Sequence, residues 1–99
     1  MAAAELTLHN EAGLHARPAA LFVQAAARLA SDIEVENLDR PGQGAVNGKS
    51  ILEVLTLGAG RGQRIRITAR GASEAADLDV LLRLLESGLG DGAAEDAGG

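Results

Sequence analysis

Arg64-Ile65-Arg66-Ile67-Thr68-Ala69-Arg70 alternates charged or polar with apolar residues over seven positions. That period of two puts Ile65, Ile67 and Ala69 on one face of a strand and the cationic residues on the other. A strand with one greasy and one charged face belongs to an antiparallel sheet covered on a single side. Its cations need partners, and the sequence offers acids in two other alternating segments. Glu5-Leu6-Thr7-Leu8-His9 reads as a first strand with Leu6 and Leu8 facing inward, and Ile33-Glu34-Val35-Glu36 as a second. Glu5, Glu34 and Glu36 can all face Arg64 and Arg66 if the strand at 64–70 lies between the other two.

The remaining segments supply the cover. From about Ala16 to Ala30 the chain is rich in Ala and Leu, with Phe22, Ala26 and Leu29 at helical spacing, and Ser31-Asp32 marks the end. Asp39-Arg40-Pro41-Gly42-Gln43-Gly44 supplies turn chemistry before a short apolar Ala45-Val46, so a hairpin with a long tip is expected. Ser50 and Glu53 stand at capping-box spacing and open a short helix that stops by Gly58. Ser73 is placed to cap a last helix, where Leu78, Leu81, Leu82 and Leu85 share a face and Gly88 is the stop. The element order is β-α-β-β-α-β-α. The expected core is Leu6, Leu8, Phe22, Leu29, Ile33, Val35, Ile65, Ile67, Leu78, Leu81 and Leu85, and a monomeric open-faced α+β sandwich is expected.

Ninety-nine residues make one domain, able to bury roughly two-thirds of its unfolded surface. We assign residues 1–90 to it and residues 91–99, which are Gly, Ala and acid, to a disordered tail. That tail holds Asp91, Glu95 and Asp96, so most of the net charge of -5 resides there and the remainder is nearly balanced. A negative chain with one aromatic residue suits neither a phosphate backbone nor base stacking, which argues against nucleic acid. Cysteine is absent, excluding disulfides and thiolate chemistry, and two distant histidines make a poor metal set, so neither metal nor cofactor is expected. There is no basic residue in Met1–Glu5 and no apolar run of membrane-spanning length, so the expected location is the cytoplasm.

The chemistry concentrates in Gly13-Leu14-His15-Ala16-Arg17-Pro18-Ala19. Proline is tolerated in a first helical turn, so His15 falls at or beside a helix N-cap. The amides of Ala16 and Arg17 and the positive end of the helix dipole then face the imidazole, which favours an anion bound there. A neutral imidazole, two free donors and a nearby guanidinium describe a place where a phosphoryl group is accepted on nitrogen and held. A lone histidine at a helix start is, by itself, more often a solvated cap. His9 has no such surroundings and reads as a surface residue.

The His15 segment, followed by Asn47-Gly48-Lys49-Ser50-Ile51 and Leu57-Gly58, resembles HPr, the histidine-containing phosphocarrier family of the bacterial phosphoenolpyruvate:sugar phosphotransferase system. The likeness runs from about Glu5 to Leu89. It implies a four-stranded antiparallel sheet of order 1-4-2-3 with three helices on one face. It also implies that His15 takes a phosphoryl group on Nδ1 from phosphorylated enzyme I and gives it to the A component of a sugar-specific enzyme II, a stoichiometric carrier and not an enzyme. Arg17 would neutralise phosphate charge, with the amides of Ala16 and Arg17 as fixed donors. Docking would use Ala20 and Leu21 on the first helix and Lys49, Ile51, Leu52 and Leu55 around the second. Ser50 would be a regulatory position, open to a serine kinase. Two departures stand out: the stretch between Val35 and Asn47 is about four residues longer than the family's, and Gln24 and Ala27 replace lysines found in some members, leaving the basic rim to Arg17, Arg28 and Lys49. Rival readings are a paralogue serving a nitrogen-regulatory branch or a dihydroxyacetone kinase, and a metabolite-binding module using Gly58, Gly60 and Gly62.

Overall fold

The computed structural model describes residues 1–89; the tail assigned to 91–99 lies outside the described residues. Four strands and three helices follow the expected order: β1 (Ala2–Thr7), α1 (Ala16–Ala27), β2 (Asp32–Asn37), β3 (Ala45–Asn47), α2 (Ile51–Thr56), β4 (Arg64–Arg70) and α3 (Glu74–Glu86). All neighbouring strands are antiparallel, in the order β1-β4-β2-β3.

The charges do what the alternation demanded. In register, Arg66 lies opposite Glu5 on one side and Glu36 on the other. Its guanidinium reaches Glu5 Oε2 at 2.7 Å and Glu36 Oε1 at 3.3 Å, bridging three strands on the solvent face. Arg64 departs from expectation. It sits opposite Thr7 and Asn37's neighbour Leu38, and its partner is Asp39, whose Oδ2 accepts the Arg64 N–H at 2.8 Å. The hairpin tip curls back and presents an acid that linear spacing does not reveal.

On the other face Ile33, Val35, Ile65, Ile67 and Ala69 are buried beneath the helices together with Leu8, Phe22, Leu78, Leu81 and Leu85. Leu6 and Leu29 are only partly buried. Leu14, Val54, Leu57 and Leu89 were not foreseen and are fully enclosed. β1 starts at Ala2 and ends at Thr7, because Ala2–Ala4 pair with Ala69–Ile67 although alanines carry no polar alternation. Leu8 still exchanges backbone hydrogen bonds with Gln63 and Gly62. α1 ends at Ala27, three residues early, where the Arg28 N–H bonds to the Ala25 carbonyl in a tightened last turn.

Two helix ends differ from their sequence readings in detail. Ser50 Oγ caps α2 by accepting the Glu53 N–H, but the Glu53 carboxylate accepts from Asn47 N–H and not from Ser50, so the box is half closed. Ser73 makes no side-chain cap; its hydroxyl donates to Asp77. Gly88 does end α3, at φ +87, with its N–H on Leu85 O and the Leu89 N–H on Leu84 O, a Schellman motif.

Candidate phosphoryl-acceptor site

His15 is the N-cap of α1, in extended conformation, solvent-exposed and without a side-chain cap bond. Its imidazole is therefore not consumed by the helix it precedes. The first helical hydrogen bond runs from Ala19 N–H to His15 O at 3.4 Å, so the amides of Ala16 and Arg17 precede any intrahelical acceptor. Ala16 has φ +49, a left-handed conformation that costs an L-residue about 1–2 kcal/mol. Sequence reading did not foresee this, since alanine gives no sign of it. Arg17 is exposed and forms no ion pair among the described residues. Pro18 and Ala19 turn inward and fix the first turn against the core.

What holds this loop in place is a seam with the segment after α2. The Leu14 N–H donates to Ala59 O at 2.8 Å, while Leu14 itself is fully buried. Gly13 lies so close to Ala59 and Gly60 that a Cβ would stand 2.4 Å from the Ala59 carbonyl oxygen, and its φ is +58. Asn10 closes the turn from below, its Nδ2 donating to Gly13 O at 2.8 Å. Glycine at 13 thus serves both the close approach and the left-handed backbone.

The same seam fixes the direction of α2. The loop following it touches the His15 loop, whereas Lys49, preceding it, donates its ammonium to Leu29 O at 2.8 Å beyond the far end of α1. The two helices run antiparallel, and Lys49 is tied to the end of α1 opposite His15. Arg28, the α1 C-cap, lies at that far end too. The basic rim read from sequence is therefore spread along α1: Lys49 and Arg28 lie at its far end, and Arg17 belongs to its first turn, two residues from His15. Apolar exposure does occur where docking was expected. Leu52 is 76 % exposed and Ile51 and Leu55 are over a third exposed, while Ala20 and Leu21 are half-buried.

No group of His, Cys, Asp and Glu suited to a metal occurs among the described residues. Of the three glycines the metabolite-module reading would use, Gly58 lies under the Arg40 guanidinium and Gly60 against Gly13, both contacts within the chain. An open cleft of about 580 Å³ lined by His9, Arg61, Leu85 and Glu86 lies apart from His15. No helix is long and apolar enough to cross a membrane.

A buried carboxylate missed in the sequence lies at the other end of the fold. Asp77 accepts from Ser31 Oγ at 2.7 Å, Ser31 N–H at 3.1 Å and Ser73 Oγ at 2.8 Å, joining α3 to the start of β2. These donors, the Ser31 hydroxyl first, hold its pKa below the ordinary aspartate value. Its role is structural, and an acid at the fourth helical position gave no sequence signal for it.

Comparison with known proteins agrees with this geometry. Residues 2–87 match the family model described as PTS HPr component phosphorylation site. Over 90 residues the chain is 43% identical to a multiphosphoryl transfer protein of Escherichia coli O157:H7, covering 91% of this chain and 24% of that one. The chain thus spans about a quarter of the length of such relatives. Its fold superposes on HPr-C-His from Thermoanaerobacter tengcongensis with a TM-score of 0.83 at 39% identity, covering 91% of this chain and 97% of the other. Against a phosphocarrier protein HPr from Bacillus anthracis the TM-score is 0.77 at 36% identity, with coverage of 85% and 95%. An exposed N-cap histidine on an open-faced sandwich, a match over nearly the whole described chain and these relatives together show that the chain belongs to the HPr family of the phosphotransferase system.

Proposed function

We propose that this chain is a stoichiometric phosphoryl carrier that takes the group from phosphorylated enzyme I onto His15 Nδ1 and passes it to the A component of an enzyme II. The observation that carries this reading is the first turn of α1, where, among the described residues, an exposed imidazole, two amides with no acceptor and a guanidinium with no acid partner fall within three consecutive residues. The lone pair of Nδ1 attacks phosphorus, the bond from phosphorus to the donor breaks, and the new N–P bond leaves the negative oxygens beside the helix N-terminus and Arg17. Passing the group on reverses these events, and the chain returns unchanged.

Ala20 and Leu21 on α1 and Ile51, Leu52 and Leu55 on α2 form the apolar part of the docking surface. Ser50 is a second modifiable position. Phosphate there would be welcome at the helix start, so the fold would persist, but about two negative charges would sit beside Ile51 and Leu52 and oppose docking. Incubation with phosphoenolpyruvate and enzyme I tests the carrier reading. One phosphoryl group should be gained by the parent chain and none by His15→Ala.

A further inference from the structure

The hairpin tip between β2 and β3 is solvent-exposed, yet it folds back onto the end of α2. Two successive turns, with Arg40 N–H on Asn37 O and Gln43 N–H on Arg40 O, fold it toward the helices, and Gln43 Nε2 donates to Thr56 O in the last turn of α2. This carries the Arg40 guanidinium onto the bare Cα of Gly58. A side-chain carbon at Gly58 would stand 2.7 Å from it. Gly58 precedes Ala59, the residue whose carbonyl holds Leu14. By standard backbone dimensions its Cα is within roughly 14 Å of that of His15.

The charge inventory singles Arg40 out. Of the nine basic side chains, Arg64, Arg66, Arg70 and Arg83 are ion-paired, and Lys49 is bonded to a carbonyl beyond α1. Arg28 is at the far end of α1, and Arg61 shares its cleft with Glu11 and Glu86. Arg17 and Arg40 remain. The acid adjacent to Arg40, Asp39, is occupied by Arg64. Among the described residues, two exposed guanidinium groups thus have no acid partner in a chain of net charge -5: Arg17, two residues from His15, and Arg40, which the folded-back tip lays on Gly58, next to the residue that holds the His15 loop.

We propose that Arg40 is a docking cation for the phosphoryl donor, meeting an acidic side chain on that protein and steering its anionic phosphoryl group toward His15. The proposal rests on the carrier reading above and adds to it a partner contact in the β2–β3 tip. Electrostatic steering of this kind acts on the encounter and fades with salt.

The test compares initial rates of phosphorylation by enzyme I and phosphoenolpyruvate for the parent, Arg40→Gln, Arg40→Lys and Arg70→Gln, at low and high ionic strength. Arg40→Gln should raise KM roughly three-fold at low salt with kcat unchanged, and the difference should shrink at high salt as screening shortens the reach of the charge. Arg40→Lys should restore most of the loss, and Arg70→Gln, on the open face of the sheet, should behave as the parent does. A parent chain that takes up no phosphoryl group would overturn the carrier reading and the proposal with it. A phosphorylated parent matched by Arg40→Gln at every salt concentration would overturn the proposal alone, as would a loss that Arg40→Lys fails to repair.

Discussion

Substituting alanine for Gly13 probes the seam that couples the His15 loop to the rest of the fold. The new Cβ would be placed 2.4 Å from Ala59 O and 2.7 Å from Gly60 Cα, both backbone atoms that cannot swing aside. Holding alanine at φ +58 costs about 1–2 kcal/mol. Relieving the clash parts the two segments and breaks the 2.8 Å bond from Leu14 N–H to Ala59 O, which costs about 1–3 kcal/mol at a buried site. The total is about 2–5 kcal/mol, a large share of the stability of a domain this size. Thermal unfolding followed by circular dichroism should show Tm lowered by roughly 10–30 °C. Phosphoryl uptake by the fraction still folded should slow, because Leu14 no longer fixes the start of α1. A Tm within about 3 °C of the parent would refute the claim that this seam positions the histidine.

Ala16→Gly should be stabilising by about 0.5–1 kcal/mol, read as a rise in Tm, because it relieves φ +49; the same change within a helix costs about 1 kcal/mol, and a fall in Tm would refute the left-handed assignment. Ser50→Ala should lose about 0.5–1 kcal/mol by removing the bond from Glu53 N–H, seen as a modest drop in Tm with transfer intact. Ser50→Asp should keep the fold and slow phosphorylation by enzyme I several-fold; an unchanged rate would leave Ser50 as a cap and nothing more. Asp77 predicts a pH effect. Its pKa is depressed in the folded state, so its contribution is complete above the unfolded carboxylate value and is lost as pH falls through the folded value. Melting temperature against pH should therefore decline less steeply on the acid side in Asp77→Asn than in the parent, and parallel curves would count against the assignment.

The sheet was legible because its two faces obey different chemistry. Arg66 must find acids, and only a strand order that puts it between Glu5 and Glu36 provides two, so charge alone reached the β1-β4-β2 arrangement. The position of His15 at the start of α1 was legible as well, because Pro18 is tolerated only in a first helical turn; its role as acceptor belongs to the proposal. What stayed hidden depends on contacts distant in sequence. Lys49 reads as a free cation until Leu29 O turns up beside its ammonium, and Ser73 reads as a cap until Asp77 claims its hydroxyl. Ala16 gives no warning of a positive φ, because alanine carries no side-chain sign of a left-handed backbone. The sequence shows a long hairpin tip but not its direction, which Gln43 on Thr56 and Arg40 over Gly58 reveal to be toward the end of α2.

The central claim, that His15 carries a phosphoryl group on nitrogen, is tested most directly by intact mass measurement. The chain would be incubated with phosphoenolpyruvate and enzyme I and then divided between acidic and alkaline conditions. A single phosphoryl adduct should form on the parent and on His9→Ala, be absent from His15→Ala, persist in base and disappear in acid, as an N–P bond requires. An adduct that survives acid, or one that still forms on His15→Ala, would place the group elsewhere and contradict the account.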